Sequence, residues 1–272
     1  MRAIQLILLA AVSAVVALVV SYVAIVRPRV KSWGFDPEEA ELAFPGDDLV
    51  SEPSAIETRG ITIDAPPDKV WPWLVQMGFG RGGWYSYGML DNKGTSADSI
   101  LPAHQSLQPG DMVKIDKISG FEVKAVEPGR SLVLFTNTEL ARSQVEKAAN
   151  EAVGEDQAAA SRMSAMMANK SYPDVAASWS FLLQPTDDGK TRLIERFRAQ
   201  TPDNGPANSF LGEIMGTGIV LLTRKQMIGI KERVERDVYG KSSNSDAVAI
   251  PIDAPLQSEQ LPSLEPEWAA PN

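Results

Sequence analysis

Cysteine is absent from all 272 residues and histidine occurs once, at His104. The first absence excludes disulfides, thiolate catalysis, cysteine-ligated zinc and a lipidated-cysteine anchor, and it leaves the redox compartment open. The second excludes multi-histidine metal sites, and no carboxylate cluster offers a substitute, so no metal and no cofactor is expected. Basic residues are also scarce: 26 Lys and Arg stand against 35 Asp and Glu, a formal net charge of -9. That balance opposes nucleic-acid binding, which draws on cationic side chains to neutralise phosphates. No Ser–His–Asp arrangement or paired-carboxylate spacing stands out, so no catalytic residue is assigned. Oligomeric state is open.

Charge is missing altogether from Ala3 to Val26, where the only polar side chains are Gln5, Ser13, Ser21 and Tyr22. At about 1.5 Å per helical residue this run spans the roughly 30 Å hydrocarbon core of a bilayer. Arg27, Arg29 and Lys31 end it. A cleavable signal peptide has a shorter apolar stretch with its basic cluster in front, so residues 3–26 read as a single transmembrane helix. The basic cluster behind it favours a cytoplasmic domain.

Residues 27–54 are acidic, with Pro45, Gly46, Asp47 and Asp48, and read as a linker. The domain is expected over 55–239. Thr58–Asp64 alternates as a strand with Ile61 and Ile63 on one face. A helix follows, with Asp64 as its N-cap, prolines in its first turn, Val70, Trp71, Leu74, Val75 and Met77 at helical spacing, and Gly78 as its end. Lys114–Ile115, Phe121–Val126 and Ser131–Thr136 read as strands. Ser178–Gln184 and Thr191–Ala199 form a hairpin whose turn chemistry is Asp188-Gly189. Asn208–Val238 is one long helix, with Lys231–Arg236 as a charged, solvated face. Residues 138–172 are an alanine- and glutamate-rich helical insert, broken near Gly154, with Met163, Met166 and Met167 clustered in it. Those methionines suit either packing against the core or a lid over a pocket. The proline-rich acidic tail, 240–272, is expected to be disordered.

Gly78-Phe79-Gly80-Arg81-Gly82-Gly83 satisfies G-x-G-x-x-G, but it follows a helix and leads into aromatics, whereas a dinucleotide fingerprint follows a strand and opens a helix. The nucleotide reading is rejected. Trp84, Tyr85 and Tyr87 combine apolar bodies with polar tips and suit the wall of a pocket. With His104, Trp179 and Glu195 they form the set of candidate ligand-binding residues. Glu195 and Arg198 fall on opposite faces of their strand by parity.

The strand running into Ala65-Pro66-Pro67-Asp68-Lys69-Val70-Trp71, the Gly/aromatic stretch, the run of antiparallel strands and the long C-terminal helix together resemble the START-like, Bet v 1-type superfamily that includes polyketide cyclases and dehydrases (SRPBCC). The resemblance covers Ala55 to Tyr239. It implies an α+β fold in which a curved antiparallel sheet wraps around the long C-terminal helix, a helix-grip, with a deep cavity between them. The insert at 138–172 departs from the minimal pattern. The superfamily shares no catalytic signature, and most members bind lipids or other apolar molecules. The expected function is therefore a membrane-anchored binder of a hydrophobic small molecule or lipid. The alternatives are a cyclase- or dehydrase-type enzyme using His104, Tyr85 or Tyr87, and a protein-interaction module.

Overall fold

Alternating side chains along six strands give one antiparallel sheet two unlike faces. In a computed structural model, residues 5, 13–14, 17–18, 20–26, 33–88, 95–169, 173–202 and 206–240 are described, with the backbone alone at 23, 26, 206–215 and 217. The strands are β1 (Ala55–Ile63), β2 (Met112–Lys114), β3 (Gly120–Glu127), β4 (Ser131–Asn137), β5 (Ala176–Pro185) and β6 (Thr191–Gln200), in the order β1-β6-β5-β4-β3-β2. A bulge between Val123 and Ala125 bends the ladder of β3 on β4, as an extra residue in one strand does. The expected strands and hairpin form within three residues of their predicted ends, β1 starting three residues early. In the β5–β6 turn, Gly189 takes φ +79° and Thr186 and Lys190 close the loop.

One face of the sheet carries Ile61, Ile63, Val113, Phe121, Val123, Leu132, Leu134, Phe181, Leu183, Leu193 and Phe197. This inner face packs against α2 (Pro67–Val75) and the C-terminal helix α5 (Pro206–Tyr239). Along α5, Val220, Met227, Ile230 and Val234 are wholly buried. The protein is thus α+β, with a curved six-stranded sheet and a long C-terminal helix. Helix α2 departs from expectation at both ends. Its N-cap is Pro66, while the backbone N–H of Asp64 donates to Glu235, and it closes at Val75 with Gln76 as its cap. Gly78 instead takes φ +119° and bridges to Gly83, folding the glycine-rich stretch into a tight loop.

The outer face shows a larger departure. Residues 33–54, composed like a linker, are folded onto it. They contain a single helical turn, α1 (Pro37–Ala40), and a 3-10 turn at Asp47–Val50. Phe44 packs with Leu182 and Ile194 to make a second, small core. The outward side chains of β6 grip this strap. Arg196, buried, donates to Thr58, Asp47 and the carbonyls of Glu39, Ala40 and Leu42, so all five of its N–H groups are used. Its guanidinium also lies 4.6 Å from the centre of the Phe44 ring. Arg192 makes a two-pronged pair with Glu39, and Arg198 donates twice to Val50.

The insert between β4 and β5 is a pair of helices, α3 (Thr138–Glu151) and α4 (Gly154–Met167). Asn137 caps α3 through its side chain, and Gln144 bonds both the N–H and the carbonyl of Gly120. Met167 is buried, whereas Met163 and Met166 are exposed. Near the other end of α5, Lys231 donates to Thr62 and Arg233 to Ala97, so this charged segment ties down neighbouring backbone. Among the described residues, no helix is long and apolar enough to cross a membrane. Half of 3–26, and all of 241–272, lie outside the described residues.

Candidate functional site

Cross-strand register decides which polar residues meet on the inner face. Strand β1 pairs with β6 so that Arg59 lies directly opposite Glu195, and Glu57 opposite Phe197. Strand β5 pairs on the other side, with Phe181 opposite Glu195 and Trp179 opposite Phe197. A buried ionic group therefore stands in an aromatic wall. Trp179 stacks on Trp84 with ring centres 5.2 Å apart, and meets Phe121 edge-on and Phe181 at a tilt.

The polar atoms here are poorly matched. Arg59 turns one terminal nitrogen onto the Glu57 carboxylate. Its Nε, the Oε2 of Glu195 and the indole Nε1 of Trp179 are all buried without a hydrogen bond. Glu195 is 2% exposed and Arg59 4%. Burial pushes the Glu195 carboxyl up to about 7, opposed first by the charge of Arg59 and then by the nearby Trp179 N–H. That N–H is close enough to favour the charged form, yet outside hydrogen-bonding geometry. An orphaned buried polar group costs about 1–3 kcal/mol, and three in one patch of a native core require a reason.

Gly216, partly exposed, stands one turn before the buried Val220 of α5. A Cβ at Gly216 would meet no atom within 4 Å. Strand β6 ends at Gln200 and α5 starts at Pro206. Trp179 and Phe197 lie toward the end of the sheet marked by Ala176 and Gln200. The insert springs from the same end, since Asn137 pairs with Ala176 and Ala176 with Gln200.

The structure brings together three of the six candidate residues, Trp84, Trp179 and Glu195. Tyr85 is buried on the α2 side. Its hydroxyl donates to the Trp73 carbonyl and accepts from Gln76, its N–H donates to Ser96, and Arg233 lies over its ring. Burial raises that hydroxyl to about 12. These bonds hold Tyr85 at φ +57°, a conformation that side-chain-bearing residues rarely adopt. Gly229 fits against it, since a Cβ there would come within 2.2 Å of the Tyr85 carbonyl oxygen. Tyr87 is 45% exposed. His104 ends a 3-10 turn, and its backbone carbonyl accepts from Arg81. Arg59 was not among the candidates. Its parity with Ile61 and Ile63 places it on the inner face, and that was the available signal.

A separate groove of about 590 Å3 runs between the free edge of β1 and α5, lined by Trp33, Ile61, Arg192, Lys231 and Glu235 among others. It is shallow, open to solvent and walled by charges of both signs, so the buried patch is the better candidate.

Comparison with protein-family models finds no match, and comparison with curated proteins finds none. Among solved structures, the chain is similar to protein MLL2253 from Mesorhizobium loti, at 16% identity over 67% of this chain and 98% of that one, with a TM-score of 0.35. It is also similar to an uncharacterised Rhizobium leguminosarum protein, at 11% identity over 67% and 95% with a TM-score of 0.36. A third is the Zhui aromatase/cyclase from Streptomyces sp. R1128, at 12% identity over 70% and 98% with a TM-score of 0.30. Likenesses this distant carry no argument about function. The reading of the site rests on its own geometry.

Proposed function

We propose that this chain is a membrane-anchored protein that binds one apolar small molecule or lipid between the inner face of its sheet and the first half of α5. One observation carries the proposal. A buried carboxyl, Glu195, whose Oε2 has no hydrogen bond, stands in a wall of Trp84, Trp179, Phe121 and Phe181. Apolar walls with a few oriented polar groups are what small-molecule sites are made of. The anchor rests on the uncharged run from Ala3 to Val26 and the basic residues behind it. Tethering places the site where apolar molecules concentrate. The enzyme alternative has less support, because His104, Tyr85 and Tyr87 do not gather around one space.

The test is mass spectrometry of small molecules that co-purify with the full-length protein extracted in mild detergent. An apolar molecule at up to one per chain is expected. Consistent recovery of empty protein that also takes up no apolar probe overturns the binding reading. Release of the protein from membranes by alkaline carbonate overturns the anchor and leaves the binding reading intact.

A further inference from the structure

Where the chain from the anchor reaches the domain, the surface carries large apolar side chains open to water. Trp33 opens the strap, and the Arg224 guanidinium of α5 lies 5.3 Å from its ring centre. Leu221, one turn before Arg224, is 41% exposed, Ile219 is 47% exposed and Phe35 is 48% exposed. Tyr87, 45% exposed, joins them because the hydroxyl of the adjacent Ser86 donates to the carbonyl of Leu222. Scattered exposed hydrophobics are ordinary, but a contiguous group marks a contact surface.

The composition of the helix points the same way. Ile219 and Leu221 stand about 100° to either side of Val220, which is wholly buried. From 214 to 223 no residue is charged, whereas eight of the next sixteen are. A helix that is apolar around most of its circumference belongs in a core or in lipid.

The length and charge of the chain indicate what covers this face. Val26 ends the uncharged run and Trp33 follows seven residues later, a span of at most about 25 Å. A domain of about 200 residues is wider than that, about 40 Å. The face around Trp33 and Arg224 is therefore held toward the bilayer. The six residues between carry Arg27, Arg29 and Lys31 and no acid, and Arg224 and Lys225 follow the uncharged part of α5. In a chain of net charge -9, such a local excess of cations fits anionic headgroups. Trp33 and Tyr87 are of the aromatic types that settle at headgroup depth. A second copy about a two-fold axis would instead set these cations against their own counterparts.

Resting on the anchor proposed above, we infer that Ile219 and Leu221 of α5, with Phe35 and Tyr87, dock on the surface of the anchor's own membrane, Arg224 and Lys225 meeting anionic headgroups. The domain then lies against the bilayer instead of hanging free on its tether.

The absence of cysteine allows a nitroxide to be placed at one introduced cysteine at a time. Full-length protein in nanodiscs of phosphatidylcholine and phosphatidylglycerol is labelled through Ala14→Cys, Asp188→Cys, Ile219→Cys or Leu221→Cys. Power-saturation EPR reads the ratio of oxygen to nickel-chelate collisions, which rises with depth in lipid. Asp188, in the exposed β5–β6 turn, sets the value for water, and Ala14, midway along the apolar run, the value for lipid. Ratios at Ile219 and Leu221 are expected about threefold or more above that at Asp188, as for side chains entering the headgroup boundary. Exchanging the phosphatidylglycerol for phosphatidylcholine lowers both, about twofold; no change overturns the part given to Arg224 and Lys225. Melting temperatures close to the parent's show that the labelled proteins are folded, and two sites keep the test sound if one label disturbs α5. Water-like ratios at both α5 sites, with Ala14 in lipid, overturn the docking and leave the anchor standing. Dipolar broadening at Leu221 without a raised ratio gives the face to a second copy and overturns the docking as well. A water-like ratio at Ala14 removes the anchor and, with it, this inference.

Discussion

Glu195 ties the chemistry of the site to stability through a single proton. Its carboxyl is raised to about 7 in the folded protein, principally by burial, against about 4.3 for a solvated glutamate. Below pH 4 both states hold the proton and the residue is neutral to folding. Between about 4.5 and 7 the unfolded chain releases it while the folded chain keeps it, so stability falls as pH rises, by about 4 kcal/mol in total. Above pH 7 both states are ionised and the loss is complete. Glu195→Gln removes the titration. The variant is expected to match the parent near pH 4 and to exceed it at pH 8, as read by urea denaturation across the range. A parallel pH dependence in the two proteins would show that the carboxyl is solvated. Tyr85 shows the opposite use of a buried polar residue. Every polar atom of its side chain is spoken for, and its strained backbone is held by those bonds. The sequence marks both as polar residues in apolar company and offers no means of telling a satisfied one from an unsatisfied one, because the partners lie on other strands and helices.

Among the elements, the strap over 33–54 is the one that composition misrepresents. Its glutamates, aspartates and prolines are the vocabulary of a solvated linker, and only Phe44 and Val50 are buried hydrophobics. What holds it is cationic: Arg192, Arg196 and Arg198, the outward residues of β6. Their parity was legible, but their targets were not, since a residue in β6 finds a partner about 150 positions earlier only once the sheet exists. The regular elements were legible for the converse reason. The β5–β6 hairpin and α5 are specified by local period and turn chemistry and appear within two residues of their expected ends, while α2 forms inside its expected span. Arg196→Met keeps the bulk of the side chain and removes all five hydrogen bonds. It is expected to loosen the strap while leaving the inner core folded, with a loss of about 3 kcal/mol. Digestion with a glutamyl endopeptidase would then cut among Glu38, Glu39 and Glu41 at least tenfold faster than in the parent. An unchanged cutting rate would mean that the strap is held by other contacts.

Across the whole molecule, the first strand completes the sheet by pairing with the last. Strand β1 finds its ladder on β6, whereas β3, β4 and β5 pair with neighbours in sequence or across the insert. Non-local pairings of this kind form late, because the chain entropy of closing the loop precedes any gain from contact. In pulse-labelled hydrogen exchange during refolding, the amides of β1 are expected to gain protection together with those of β6 and no earlier than those of β3 and β4. Protection of β1 in the first phase would overturn this order. The same topology explains why the candidate site was only half legible. Trp84, Trp179 and Glu195 were recognisable by chemical type, but Arg59 joins them only through the register between β1 and β6.

The strap's dependence on β6 also sets an order of events at the ribosome. Glu39 precedes its partner Arg192 by 153 positions, and at roughly 5–20 residues per second the strap is made on the order of ten to thirty seconds before anything exists to hold it. A segment that must wait in water, next to an apolar run already synthesised, is safest when it is acidic and poor in strand-forming residues. The carboxylates that keep it apart from other chains during that interval are then the groups that the arginines take hold of.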